Sequence, residues 1–184
     1  VLPDGDTVLV YVTSAGNNKV DSTFFASSTW QVKFSRGKFG APEKLFDGAY
    51  HGGISESGNL AVTGARLLRS RVNGSDEVWY NGEQACNVSL SGGGANYTLF
   101  LDFAGETGTA FVGESYDVHE RAFVADSTGE IILSVAAPEG YSFDHTEWVL
   151  GSDSLFVATL TNINGAHKRV ALVNAFTGDI LNLV

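Results

Sequence analysis

The sequence predicts an all-β protein built from short antiparallel strands. Apolar and β-branched runs of strand length recur along the whole chain. The 22 glycines, with many Ser, Thr and Asn residues and only three prolines, supply frequent tight turns. Nothing in the sequence has the periodicity of a long helix. With 184 residues, of which 43% are hydrophobic, we expect residues 1–184 to form one globular domain.

In the N-terminal half, turn signals separate the predicted strands. Pro3-Asp4-Gly5 is such a signal. Residues 15–28, which include Phe24-Phe25, are expected to form a polar loop. Asn81-Gly82 is the strongest hairpin dipeptide of the chain. The predicted strands are Thr7–Thr13, Trp30–Phe34, Ala41–Phe46, Leu60–Gly64, Leu67–Val72 and Glu77–Tyr80.

The C-terminal half continues the same alternation of strands and turns. A polar segment that contains His119 interrupts it once, and Thr128-Gly129 and Thr177-Gly178 are the clearest turns. The predicted strands are Cys86–Leu90, Thr98–Phe103, Ala110–Gly113, Arg121–Ala125, Ile131–Val135, Leu155–Leu160, Arg169–Val173 and Ile180–Val184. A polar turn that carries His145 is expected to lead into one more short strand, which ends near Trp148.

Four hairpin glycines indicate a repeat. Gly37, Gly82, Gly129 and Gly178 recur at intervals of about 45 to 49 residues, and each is preceded by an apolar strand. An apolar strand with an outer hairpin is typical of a β-propeller blade, which buries its faces only against neighbouring blades. We therefore predict a propeller-like array of about four antiparallel blades, with repeats at roughly 1–48, 49–84, 85–140 and 141–184. The array is either a closed four-bladed ring or an arc of a larger propeller, and an arc would expose strand edges and favour a homodimer.

Several segments also resemble known sequences. The segment 55–62 (SESGNLAV) resembles degenerate WD-type or TolB-like propeller repeats. More narrowly, residues of about 50–184 are similar to a paralogous family of large predicted surface lipoproteins from a fibre-degrading rumen bacterium. This resemblance implies a propeller module within a longer cell-surface protein, and it implies no activity. The segments that carry it are 79–83 (WYNGE), 119–121 (HER), 126–129 (DSTG) and 143–148 (FDHTEW).

Charge and composition narrow the classes of partner and the location. The formal net charge of −10 argues against nucleic acid or an anionic membrane surface as a partner. No apolar run is long enough for a transmembrane helix, and the single cysteine excludes an internal disulfide framework. The chain contains no Met and begins at Val1, so we expect a piece of a longer protein. The acidic, Lys-poor composition favours an extracytoplasmic bacterial location, secreted, periplasmic or at the cell surface.

The candidate site is a set of imidazoles and carboxylates. His51 and His145 each lie three residues before an apolar anchor, Ile54 and Trp148. In a propeller, turns that precede the first strand of each blade converge near the central channel. We therefore predict a binding site there; its residues are His51, His119, Glu120, Asp144, His145, Glu147 and Trp148. Two other interpretations stay open: these side chains lock one blade to the next by hydrogen bonds, or the imidazoles and carboxylates hold Zn or Mn.

Two further features have alternative interpretations. Ser91-Gly92-Gly93-Gly94 is either an anion cradle built from backbone N–H groups or a flexible turn. Cys86 lies in an apolar alternation with Val88 and Leu90 and is predicted to be a buried core residue.

Two functions follow from these patterns. The first is a non-enzymatic interaction or scaffold module that binds a protein or glycan on the propeller face, without a cofactor. The second is a metal-dependent, lyase-like carbohydrate-active enzyme that uses the channel histidines, by analogy with TolB-like pectin-fragment lyases. Only eleven Lys and Arg residues are present, which would serve a carboxylate-rich substrate poorly.

Overall fold

A computed structural model describes residues 7–13, 17–162 and 164–183. These residues form four antiparallel four-stranded sheets with short helical segments, which confirms the predicted all-β class and the four antiparallel blades. The predicted turn at Pro3–Gly5 lies outside the described residues. The chain divides into two compact units, Val1–His51 and Gly52–Val184, and each is described by itself.

The first unit contains sheet 1 and one short helix. Its central strand, β2, pairs with β1 on one side, and on the other side with β3 and β4, which the segment around Pro42 separates. Proline has no N–H to donate to the ladder, so the edge is interrupted there. The elements are β1 (Thr7–Val12), α1 (Asp21–Phe25), β2 (Ser28–Ser35), β3 (Lys38–Phe39) and β4 (Glu43–Asp47).

The prediction of a polar loop over residues 15–28 is wrong where α1 forms. Phe24 is buried on the inner side of this helix, and its ring meets Tyr50 edge-on at 5.3 Å between ring centroids. Burial of one aromatic side chain stabilises a helix that is too short to persist alone.

The second unit contains three sheets whose strands pair with their neighbours in chain order. Sheet 2 consists of β5 (Gly53–Ile54), β6 (Leu60–Gly64), β7 (Leu68–Val72) and β8 (Ser75–Val78). Sheet 3 consists of β9 (Ala85–Leu90), β10 (Thr98–Asp102), β11 (Arg121–Ala125) and β12 (Ile131–Ala136), with α2 (Glu106–Val112) between β10 and β11. Sheet 4 consists of β13 (Tyr141–Trp148), β14 (Leu155–Asn162), β15 (His167–Asn174) and β16 (Ile180–Leu183).

The three sheets of this unit stack face to face, with sheet 3 in the middle. Strand β9 packs against sheet 2, and β13 packs against sheet 3. All five residues of β10 are buried. Leu99 and Leu101 join the apolar cluster shared with sheet 4, whereas Phe100 joins the cluster shared with sheet 2. Burial on both faces explains why the sequence of β10 is an almost unbroken apolar run. Sheets 2, 3 and 4 stack as the blades of a propeller do.

Two predictions about turns and strands in this unit are wrong. Asn81-Gly82 does not close a hairpin; it lies in a short 3-10 turn, Tyr80–Gly82, after β8. The hairpin that joins β7 to β8 turns at Asn73-Gly74, whose φ angles of 48° and 89° suit a two-residue turn. The hairpin glycines of the four sheets are therefore less evenly spaced than predicted, because Gly74 takes the place of Gly82. Ala110–Val112 belongs to α2 instead of a strand, and Gly113 ends this helix in the left-handed conformation at φ 83°.

Candidate functional site

The first strands of sheets 3 and 4 carry matching bulges. The pairing of β9 with β10 shifts register between Cys86 and Ser89, and that of β13 with β14 shifts between Asp144 and Glu147. Within these bulges Asn87 and His145 occupy equivalent positions, with φ angles of 49° and 46°. Asn and His tolerate the left-handed region better than most residues. We call the two segments, 86–89 and 144–147, the bulge seam.

Side chains join the two bulges by hydrogen bonds. Asn87 Nδ2 donates to Asp144 Oδ1 at 3.3 Å, and Thr146 Oγ1 donates to the Asn87 carbonyl at 3.1 Å. The buried Ser89 hydroxyl donates to Glu147 Oε1 at 2.6 Å and accepts the Trp148 N–H at 3.2 Å. The two bulges are therefore joined mainly by side-chain hydrogen bonds, with the Asn87 carbonyl and the Trp148 N–H as the backbone partners.

His119 contacts the seam from the loop before β11. Its Nε2 lies 3.3 Å from Cys86 Sγ, and its ring meets Phe103 edge-on at 4.8 Å. Burial lowers the pKa of His119, and this outweighs the opposite influence of Asp144 and Asp102. Burial, with the same carboxylates adding to it, raises the pKa of the Cys86 thiol to about 12.

The thiol of Cys86 therefore stays protonated, and we assign its S–H as the donor to a neutral His119 imidazole. A protonated thiol is a poor nucleophile. Cys86 is half-buried and packs against the apolar cluster shared by sheets 3 and 4, so its predicted core position is confirmed in part. The prediction did not include the contact of its thiol with His119.

Asp144 and His145 form an ion-pair geometry within the seam itself. His145 Nδ1 lies 3.0 Å from Asp144 Oδ2, and the His145 backbone N–H donates to Asp144 Oδ1 at 2.9 Å. The Thr159 hydroxyl donates to the Asp144 carbonyl at 2.6 Å. The His145 side chain is 66% exposed, whereas that of Asp144 is 26% exposed.

The remaining predicted site residues lie elsewhere. Glu120 accepts the Asp117 backbone N–H at 2.7 Å and borders a groove described below. Trp148 is buried under the seam, where its ring packs edge-on against Phe156. His51 is the last residue of the first unit and is exposed. The structure thus brings together His119, Asp144, His145 and Glu147. Within the described residues, no three His, Cys, Asp or Glu side chains are placed to hold a metal ion.

The glycine-rich loop 91–94 holds a carboxylate of the protein itself, that of Asp153. Asp153, in the turn between β13 and β14, accepts the Ser91 hydroxyl at 2.5 Å and the Gly93 N–H at 3.2 Å with one oxygen. Its other oxygen accepts the Ala95 N–H at 3.1 Å. Charge-assisted hydrogen bonds of this kind are stronger than neutral ones. The loop is a second junction between sheets 3 and 4.

Sequence reasoning missed a buried carboxylate. Asp102, at the end of β10, is fully buried, and its Oδ2 accepts the hydroxyls of Tyr116 at 2.6 Å and Tyr80 at 2.9 Å. The Asp102 Oδ1 atom is buried and has no hydrogen-bond partner within the described part of the chain. Burial is the main cause that raises the pKa of both tyrosines. The signal in the sequence was a carboxylate that closes an apolar strand, where a buried charge needs donors.

Each of the two tyrosines that donate to this carboxylate lines a surface cavity. The first, of about 370 Å³, has Tyr80 in its wall, with Asn81, Thr107, Phe111 and Glu130. The second, of about 290 Å³, lies between the loop after α2 and the turn before β13. We call the second cavity the tyrosine groove; six of the residues that line it are Glu114, Tyr116, Glu120, Arg121, Glu139 and Tyr141.

The stacked sheets define the chain as an all-β, propeller-like protein with polar junctions between sheets 3 and 4. None of its described helices is long and apolar enough to cross a membrane. Comparison with protein-family models finds no match, and comparison with curated proteins finds no significant relative. The resemblance to surface lipoproteins therefore stays a prediction.

Proposed function

We propose that this chain is a non-enzymatic interaction module that binds a protein or glycan partner on its propeller face. The observation that carries the proposal is that the carboxylates of the bulge seam, which could have served as catalytic groups, accept hydrogen bonds within the seam instead. Asp144 and Glu147 accept hydrogen bonds from Asn87 and Ser89 of the neighbouring sheet. A general base in this position would have to give up a contact that joins two sheets.

The seam also lacks an activated nucleophile among the residues described. The Cys86 thiol is held in its protonated form next to a neutral His119. His145 is an exposed group of the seam, and Asp144 holds its imidazole from one side. These contacts support a rigid scaffold that presents its surface grooves to a partner.

We further propose an extracytoplasmic bacterial location, at the cell surface, in the periplasm or as a secreted protein. The net charge of −10 and the low content of Lys and Arg support it. The resemblance of segments such as 143–148 to predicted surface lipoproteins supports it independently.

A turnover assay combined with thermal melting tests the proposed function. Purified protein is incubated with neutral and uronic polysaccharides, with EDTA or with added Mn, Zn or Ca, and is melted under the same conditions. We expect no hydrolysis or elimination and no shift of the melting temperature with metal. A native-state metal site at a hundredfold excess over its dissociation constant would stabilise by about 2.7 kcal/mol, or about 5–11 °C.

Variants separate a structural seam from a catalytic one. Glu147→Ala removes the acceptor of the buried Ser89 hydroxyl and should cost about 1–3 kcal/mol of unfolding free energy. Glu56→Ala, in an exposed turn, is the matched control and should change stability by less than about 0.5 kcal/mol. Reproducible turnover that is lost in folded His145→Ala or Glu147→Ala would overturn the proposed function.

A further inference from the structure

The tyrosine groove is separate from the bulge seam and is built from fixed side chains. The Tyr116 hydroxyl is anchored on buried Asp102, and the Arg121 guanidinium lies over the Tyr116 ring, 5.8 Å from its centroid. Arg121 is in turn held by Glu114, with 2.7 Å between Nη2 and Oε1. Side chains that are already ordered lose little entropy when a ligand binds.

The groove offers donors, acceptors and aromatic surface together. Arg121 supplies guanidinium N–H groups, and its side chain is only 17% exposed. Glu120 has one oxygen fixed by the Asp117 N–H, while Glu139 is exposed at the rim. Tyr141, at the start of β13, is half-buried against the core beside these groups. A binding site with a few fixed polar groups beside aromatic rings suits a small polar ligand with an apolar face.

The charges of the groove select the class of ligand. Three carboxylates and one guanidinium line it, and the whole chain carries −10, so an anionic sugar or a phosphate would be repelled. A cationic group would be attracted by Glu120 and Glu139 but repelled by Arg121, and a cationic peptide is therefore one of the probes of the test below. A hydroxyl group can donate to a carboxylate and accept from a guanidinium, and thus matches both kinds of group.

We propose that the tyrosine groove binds a sugar residue of a neutral glycan, with Tyr141 as the aromatic surface. This inference rests on the proposed function, of which it names the partner class and the site. The cavity volume of about 290 Å³ is near the lower end of small-molecule sites, so the groove receives one short stretch of the glycan. Glu120 and Glu139 accept sugar hydroxyls, and Arg121 donates to them.

Native gel electrophoresis in gels that contain soluble polysaccharide tests this site. The probes are neutral β-glucan, xyloglucan and galactomannan, with polygalacturonate as the anionic comparison and a lysine-rich peptide as the cationic one. We expect retardation by at least one neutral polymer and none by polygalacturonate. The retardation should persist at about 1 M salt, where charge attraction is screened beyond about 3 Å.

Tyrosine variants locate the binding to the groove. Tyr141→Ala should weaken neutral glycan binding by about tenfold, the expected effect of one lost stacking contact with its hydrogen bonds. Tyr97→Ala is the matched control, since Tyr97 is also half-buried against the same core cluster but lies outside the groove. Tyr141→Phe keeps the ring and should keep most of the binding, which guards against a folding defect.

The outcomes separate this inference from the proposed function. Equal loss in Tyr97→Ala and Tyr141→Ala, or binding of no neutral polymer, would overturn the sugar site. Binding of the lysine-rich peptide alone, abolished at high salt, would also overturn it and assign the groove to a protein partner, while the proposed function stands. Turnover of any probe would overturn the proposed function itself.

Discussion

At the scale of single residues, Gly108 in α2 is a position of the second unit where no side chain fits. A Cβ atom there would lie 2.0 Å from Tyr116 Oη, 2.4 Å from Tyr80 Oη and 2.8 Å from Asp102 Oδ2. The absence of a side chain lets the helix close over the buried carboxylate and its two donors. Helix propensity alone would favour Ala at this position by about 1 kcal/mol.

We expect Gly108→Ala to destabilise the protein despite that propensity. The added methyl group must displace at least one tyrosine hydroxyl from Asp102, and such overpacking costs about 1–3 kcal/mol. Urea unfolding at neutral pH measures the change. Gly40→Ala is the control, because a Cβ there meets its nearest atom at 3.6 Å in ordinary contact. Equal stability of the two variants would contradict the geometry around Asp102.

His119 makes the stability of the fold depend on pH. Burial lowers the pKa of His119 in the folded state, so the unfolded chain binds a proton more readily. The stabilisation is complete above the unfolded value of about 6.5 and declines as the pH falls below it. Asn keeps a polar group and tolerates the φ of 60° at this position.

We therefore expect His119→Asn to lose less stability than the parent protein when the pH falls from about 7 to about 5. Urea unfolding at several pH values measures this difference, with the values at about pH 8 as the common reference, where the imidazole is neutral in both states. Parallel curves for the two proteins would show that His119 is not buried in its neutral form.

At the scale of elements, the junction between loop 91–95 and the turn at Asp153 links two neighbouring sheets. One carboxylate accepts three hydrogen bonds there, two of them from backbone N–H groups. Without the carboxylate, the Ser91 hydroxyl and the Ala95 N–H lose their acceptor at a partly buried site, which costs more than the net value of the bonds. The Gly93 N–H is exposed and can bind water instead.

We expect Asp153→Ala to lower the unfolding free energy by about 2–4 kcal/mol, through loss of charge-assisted hydrogen bonds. The melting temperature should fall by about 4–16 °C. Asp47→Ala is the control, because Asp47 forms an exposed ion pair with Lys44, and surface pairs contribute about 0–1 kcal/mol. A loss no larger than that of the control would mean that the loop holds its shape without Asp153.

Strands were easier to predict than the turns that join them. Runs such as Leu60–Gly64 and Thr98–Asp102 are apolar enough to identify as buried strands from the sequence. Two Asn-Gly dipeptides lie only eight residues apart, however, and the sequence alone did not show which one closes the hairpin of sheet 2. Tertiary packing distinguishes them, because Trp79 and Tyr80, which come directly before Asn81-Gly82, are buried in the apolar cluster between sheets 2 and 3.

The candidate site was predictable in its residue types but not in its partners. The equal spacing of His145 before Trp148 and of Asn87 before Leu90 is visible in the sequence. The contacts that give these positions their role, from Ser89 to Glu147 and from Asn87 to Asp144, join residues nearly sixty positions apart. A register shift in each strand creates them, and no local pattern marks a one-residue bulge.

At the scale of the whole molecule, the second unit has its core on both sides of sheet 3. Strand β10 contributes to both apolar clusters, and Leu99, Phe100 and Leu101 are fully buried. Strand β1 of the first unit is different, because Leu9 and Val10 are 50% and 40% exposed. Local stability should follow this difference in burial.

We expect hydrogen exchange of backbone amides to be slowest in β10 and β11 and much faster in β1. Exchange measured by mass spectrometry on peptides from each strand, under native conditions, tests the order. The difference should be at least about a hundredfold in rate, which corresponds to about 2.7 kcal/mol of local opening free energy. Protection of β1 equal to that of β10 would contradict it.

The matching bulges also bear on how the strands find their correct alignment. If β13 slipped by one residue against β14, its side chains would exchange faces, and Glu147 would enter the space that Trp148 fills. Such a slip in one sheet alone would break the hydrogen bonds that Asn87 makes with Asp144 and Thr146 of the other sheet. The strand register of each sheet therefore constrains the register of its neighbour, and the two sheets pack together with both in the correct register.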